Sequence, residues 1–169
     1  MINLKVTVKD MQTRAMLGET ARRMSNPGKP LRACGLVLLR SITKTFKAGG
    51  RPIRWKPSKR AMNMPKGQTL IKTARLMRSI TMQVAGKTLR VGTNVKYAAI
   101  HQLGGTIPAR VILPRRAKAL RWIDRSGKVR FAKRVSIGPT QIPARPFLVI
   151  QDADWRVFKR LFEDHITGT

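Results

Sequence analysis

Two histidines, His101 and His165, one cysteine, Cys34, and seven carboxylates are the residues of this 169-residue chain best suited to acid–base, nucleophilic or metal chemistry. Four of the seven acids, Asp152, Asp154, Glu163 and Asp164, lie in the last 18 residues. A terminal helix accounts for the first two, with Asp152 as N-cap and Asp154 in the first turn, where a carboxylate suits the helix dipole. One cysteine and two histidines do not make a zinc set at ligand spacing. Two histidines and scattered aspartates do not assemble a nucleophile–base–acid triad. No GxxxxGK[ST] or GxGxxG loop is present to cradle a phosphate. We therefore expect no active site, no metal and no cofactor; a hydrolase of cell wall or nucleic acid fails on its shortage of paired acids and histidines. Cys34 sits in an apolar run over 31–39 and reads as a small buried hydrophobe, and being alone it forms no intrachain disulfide.

Charge dominates what remains. There are 36 Lys+Arg against 7 Asp+Glu, a formal net charge of +29 and a pI near 12.0, and residues 20–123 hold 24 bases and no acid. Such a chain repels itself and needs counter-ions or an acidic partner, either nucleic acid or an acidic protein face. Two basic groups are candidate contacts to acidic protein or DNA: Arg51, Arg54, Lys56, Lys59 and Arg60, then Arg115, Arg116, Lys118, Arg121, Arg130, Lys133 and Arg134. Nothing matches a zinc finger, an RRM motif or a basic zipper, and most of the nine aromatics read as core or anchor positions rather than a stacking platform. No stretch approaches the roughly 20 apolar residues of a membrane span, and no signal-peptide h-region is visible, so a soluble protein made in the cytoplasm is expected.

The elements that must position these residues follow from periodicity. Alternation at Ile2, Leu4, Val6 and Val8 predicts a strand. Met11, Leu17, Ala21 and Met24 give a helical stripe over 10–25, stopped at Asn26-Pro27-Gly28. A second helix covers 30–47 with Leu31, Leu38, Leu39, Ile42 and Phe46 toward a core, and Gly49-Gly50 ends it. Residues 48–68 form a long basic loop around Trp55, of a length usually tied to function or to ordering on a partner. A short helix is expected over 69–79, then a hairpin of Thr81–Ala85 and Thr88–Gly92, then a short helix over 95–103. Residues 106–138 read as a β-hairpin arm, with strands at 119–124 and 128–135 about Arg125-Ser126-Gly127. The arm is bracketed by Ile107-Pro108-Ala109-Arg110 and Ile142-Pro143-Ala144-Arg145. The last helix has an apolar face of Trp155, Phe158, Leu161, Phe162 and Ile166. The fold class is α+β: one domain over 1–169, a small mostly antiparallel sheet packed by N-terminal helices and a C-terminal helix, with the arm projecting.

Several spaced segments say more than composition. They are Phe46-Lys47-Ala48-Gly49-Gly50, Trp55-Lys56-Pro57, Leu76-Met77-Arg78-Ser79-Ile80, Arg90-Val91-Gly92-Thr93-Asn94-Val95, Tyr97-Ala98-Ala99-Ile100-His101-Gln102-Leu103-Gly104-Gly105 and Ile142-Pro143-Ala144-Arg145-Pro146-Phe147-Leu148. Their order resembles the phage virion morphogenesis family of Mu-type and P2-type phages, whose members act in tail completion and head–tail joining, and the wider set of neck and tail-completion proteins of long-tailed phages. Ala74 stands where that family usually has glycine. The motif positions are Gly49, Gly50, Trp55, Ser79, Gly92, Tyr97, His101, Gln102, Gly104, Gly105, Pro143, Arg145, Pro146 and Phe147. Read physically, Trp55 is an anchor for its loop, Tyr97 and His101 are four apart on one helical face and brace each other or the sheet, and the two prolines stiffen the approach to Phe147 and Leu148. Arg145 is a candidate for a subunit interface.

The resemblance implies a structural virion protein, forming a ring at the neck or the top of the tail tube, in the host cytoplasm during assembly and in the virion afterwards. Its partners would be itself, as a hexameric ring, with tail-tube and head–tail connector proteins, genomic DNA in the channel, and no membrane. Composition alone also fits a free basic nucleic-acid-binding protein of ribosomal or chromatin-like character. The head side and the tail side of the joint stay open, as does whether the basic arm faces DNA or acidic protein.

Overall fold

The computed structural model describes residues 10–168 apart from 64, 66 and 125. The strand expected at 2–8 lies outside the described residues. In chain order the elements begin with α1 (Met11–Ser25), α2 (Gly28–Ala48), α3 (Lys59–Met62) and α4 (Arg75–Arg78). There follow β1 (Thr81–Ala85), β2 (Thr88–Gly92), α5 (Ala98–Leu103), β3 (Gly105–Ile107), β4 (Arg110–Ile112) and β5 (Leu120–Ile123). Last come β6 (Val129–Ala132), β7 (Val135–Ile137), β8 (Thr140–Ile142) and α6 (Asp152–Thr167). The chain is α+β, with helices toward both ends and, among the described residues, antiparallel pairing in four two-stranded ladders. The described residues fall into two compact units, one running up to Val95 and resuming at Phe147, the other Lys96–Pro146.

The first unit is organised by α2. Cys34, Leu38, Ile42 and Phe46 recur every four residues and are all buried, which sets one face of the helix against α6 and the β1–β2 hairpin. Gly49 closes the helix in the left-handed region, φ +72°, and the Gly50 N–H returns to the Thr45 carbonyl at 2.9 Å. Phe46 then stacks with Phe147, ring centroids 5.2 Å apart, and receives Trp55 edge-on at 5.7 Å and 80°. The loop after α2 is thus pinned at its middle, and it includes the single turn α3, capped by the Ser58 hydroxyl accepting from the Ala61 N–H.

Three local expectations are corrected in this unit. The helix anticipated over 69–79 is a single turn, because Leu70 and Ala74 take φ of +62° and +56°, values no right-handed helix contains. The N-cap of α6 is Gln151, and Asp152 is already helical; it is Asp154 that reaches back, its Oδ2 accepting the Gln151 N–H at 2.9 Å. The stripe on α1 is not a core face, since no α1 residue is buried and Met11, Leu17 and Met24 are exposed. At its C-terminal end, Arg23 donates to the Ile166 carbonyl and its own carbonyl lies 3.0 Å from His165 Nε2.

The second unit is a nest of antiparallel pairs: β3 with β8, β4 with β7 and β5 with β6. At the innermost turn the Asp124 carboxylate accepts the N–H groups of Ser126 and Lys128 at 2.9 and 3.0 Å, and Gly127 takes φ +79°. Gly104 ends α5 at φ +76°.

Candidate functional site

The motif residues of the first unit build a scaffold. Trp55 and Phe147 are core, as described. Ser79 and Thr93 lie at the two ends of the β1–β2 hairpin, their hydroxyls 2.6 Å apart, and Thr93 Oγ1 also accepts the Val95 N–H. Gly92 ends β2. Gly50 is a place only glycine fits: φ is +113°, and a Cβ would lie 2.6 Å from both the Ile53 carbonyl oxygen and the Trp55 nitrogen.

Beneath this scaffold is a buried polar network that charge counting did not reveal. Ser41 Oγ donates to Asp154 Oδ2 at 2.7 Å. Arg51 Nη2 donates to the Ser41 hydroxyl and carbonyl at 2.9 and 2.8 Å, and Arg51 Nε to Thr45 Oγ1 at 3.2 Å. The guanidinium of Arg51, expected at a partner surface, is thereby turned onto α2. Asp154, expected as a dipole complement on an acidic last helix, is a buried acceptor joining α2 to α6. The signal was the i, i+4 spacing of Ser41 and Thr45 within an apolar helix, two hydroxyls needing a partner.

In the second unit Tyr97 meets His101 edge-on, centroids 5.9 Å apart at 80°. His101 Nδ1 is buried and has no hydrogen-bond partner among the described residues, and the His101 carbonyl accepts the Arg145 N–H at 2.7 Å. Burial, and then the Arg145 charge, hold the imidazole below its ordinary pKa of 6.5. Arg145 is 5% exposed, and burial lowers its pKa as well. Gln102 is half-buried on α5, Gly105 starts β3, and Pro143 and Pro146 are exposed on the segment leading from β8 toward Phe147.

The remaining candidate cations stay on the outside. Arg54, Lys56 and Lys59 are exposed, while Arg60 is half-buried and donates to the Gln68 carbonyl at 2.6 Å. Arg115, Arg116, Lys118, Arg121, Arg130, Lys133 and Arg134 are all exposed, and Arg130 Nε reaches Asp124 Oδ2 at 2.9 Å. The structure therefore groups the second set on one unit, where 12 Lys+Arg face a single acid, Asp124, over residues 96–146. Hydrogen bonds from Ser126 and Arg130 hold that carboxyl below its ordinary pKa.

Two apolar surfaces were not foreseen. The first is a groove of about 570 Å³ in the first unit, walled by Leu31, Cys34, Leu38 and Ile42 of α2, Leu89 and Val91 of β2, residues 148–150, and Trp155, Phe158 and Phe162 of α6, with Lys159 its one charged described wall. Its sequence signal was an apolar face on α6 larger than α2 alone covers. The second is the β5–β6 hairpin, where Trp122, Ile123, Val129 and Phe131 are all exposed. Burial of aromatics holds for Phe46, Trp55, Phe147 and Phe158 and fails for Tyr97, Trp122, Phe131 and Trp155. Among the described residues no cluster of three His, Cys, Asp or Glu side chains could hold a metal, and no helix is long and apolar enough to cross a membrane.

Scaffolded glycines, a buried tie between helices, and uncovered apolar and basic surfaces describe a protein built to be packed against. A model of the phage virion morphogenesis family matches residues 8–167. The chain is also 33% identical over 114 residues to the Mu-like prophage FluMu G protein 2 of Haemophilus influenzae, covering 68% of this chain. The match spans 59% of that relative's length. No solved structure matches. The chain belongs to the phage virion morphogenesis family, and its role is that of a virion-associated structural or morphogenesis protein.

Proposed function

We propose that this protein acts in tail completion and head–tail joining, as a closed ring of identical copies, with six as the expected number, at the neck or the upper end of the tail tube. Its mechanism is docking without turnover. The observation that carries the reading is the pairing of family membership with a surface of docking features: an open apolar groove in one unit and an exposed, apolar and cationic hairpin in the other. Cyclic closure suits a ring stacked on a tube, because head-to-tail contacts satisfy every copy. Tail-tube and connector proteins, with DNA in the channel, would supply the acidic faces that a +29 chain requires. The test is genetic and visual. A phage lacking the chain should yield DNA-filled heads beside unjoined or incomplete tails in electron micrographs. Intact, infectious particles without it would refute the role.

The charge of the second unit favours a second reading, a free nucleic-acid-binding protein. Binding of the isolated monomer to duplex DNA, steeply weakened by salt, would support it.

A further inference from the structure

We propose that the β5–β6 hairpin of one copy seats in the α2–β2–α6 groove of the next. The inference rests on the ring reading above and names the contact that would build the ring.

The hairpin is unusual for a solvated one. In the β5–β6 register Arg121 is opposite Phe131 and Trp122 opposite Arg130, while Ile123 faces Val129. Opposed residues in an antiparallel pair share a face. One face therefore carries Arg121, Phe131, Ile123 and Val129, and the other Trp122 and Arg130. Phe131 is 66% exposed, Ile123 61%, Val129 42% and Trp122 41%. Aromatic side chains beside arginine could stack on bases, but exposed Ile123 and Val129 gain nothing from a nucleic acid; a β-branched pair is buried by protein. The occupant of this surface is therefore an apolar recess of a protein.

The chain has such a recess. The groove's walls are apolar, among them Leu38, Val91, Leu148, Trp155, Phe158 and Phe162, and its volume lies in the range of about 300–1,000 Å³ that buries compact ligands, which is room for aromatic anchors. Charge narrows the choice further. With Asp154 buried, α6 presents Asp152, Glu163 and Asp164 beside Arg156, Lys159 and Arg160, a balanced set on an otherwise basic chain, and Lys159 on the groove wall lies 3.7 Å from Glu163. The strongly basic unit of one copy thus meets a charge-balanced helix on another. Arginine and aromatic anchors centred in an apolar pocket are the residue types that dominate binding energy. Because hairpin and groove are different surfaces, the contact is head-to-tail, the kind that builds a ring when its rotation closes.

The test uses the full chain and three variants, each checked for native circular dichroism: a hairpin variant (Trp122→Ser with Phe131→Ser), a groove variant at an exposed wall position (Trp155→Lys), and an α1 variant (Met16→Ser with Leu17→Ser). Sedimentation should show wild type assembled and the hairpin and groove variants dissociated, with association weakened roughly 30-fold or more, as for loss of an interface hot spot. An equimolar mixture of the hairpin and groove variants should give one-to-one dimers and nothing larger, since each supplies what the other lacks. The dissociated hairpin variant should also bind an apolar dye that the wild-type assembly excludes. If the hairpin variant assembles like wild type, the contact is wrong while the ring reading stands. If assembly is kept but DNA retention is lost, the hairpin is a nucleic-acid contact. If only the α1 variant dissociates, the groove belongs to α1. Dye binding unchanged on dissociation would show the groove filled by the copy's own residues, which also overturns the proposal. A wild-type chain that stays monomeric would overturn the ring itself.

Discussion

Ala74 shows how a single residue records a backbone decision. It stands in the left-handed region at φ +56°, where an L side chain costs about 1–2 kcal/mol and glycine almost nothing. Glycine is the residue that this geometry admits without strain. Ala74→Gly should stabilise the protein by about 0.5–1 kcal/mol after the added unfolded-state entropy, and raise Tm by about 2–4 °C per kcal/mol. His101 makes a second prediction. Its imidazole is held below 6.5 by burial and by Arg145, so the unfolded chain binds more protons in the window between 6.5 and the lowered value. The stabilisation is full above pH 6.5 and is lost as pH falls through that window. Denaturation midpoints between pH 7.5 and 5.5 should drop more for wild type than for His101→Gln; equal slopes would contradict the assignment.

At the level of elements, the exit from α2 and the tie to α6 are the points of least tolerance. Gly49 and Gly50 are adjacent and both have positive φ, yet a Cβ at Gly49 meets open space and one at Gly50 meets backbone. Gly49→Ala should cost about 1–2 kcal/mol, whereas Gly50→Ala should cost about 3 kcal/mol or more because strain and collision add. Urea titration of the two variants measures the difference directly. Asp154→Ala would leave the Ser41 hydroxyl and the Gln151 N–H without their acceptor, a loss of about 2–3 kcal/mol. Reading Asp154 as surface charge predicts nearly no change.

At the scale of the whole molecule, seven acids cannot balance 36 bases, so self-association depends on where the few acids sit. Asp152 and Glu163 are exposed and Asp164 half-exposed, while Asp154 is engaged within the core. Reversing the charge of Asp152, Glu163 and Asp164 together, leaving Asp154 intact, should weaken assembly at low ionic strength and matter less near 1 M salt, where the Debye length falls to about 3 Å. Size-exclusion profiles that do not change at low salt would separate assembly from these carboxylates.

Much of this was legible without coordinates, because it rests on local rules. Apolar spacing set α2, the Gly86-Lys87 turn set the β1–β2 hairpin, and the three-residue loop ending at Gly127 set β5 against β6. The motif segments carried the family. Tertiary structure decided what periodicity cannot express, namely which apolar face is covered. The stripe on α1 and the aromatics of β5–β6 have the same composition as buried ones, yet among the described residues none is laid over them and they are exposed. The repeated Ile-Pro-Ala-Arg makes the point in four residues: Arg110 is exposed on β4 and Arg145 is buried. Identical side chains have identical local preferences, and burial is a property of what the rest of the chain places around them.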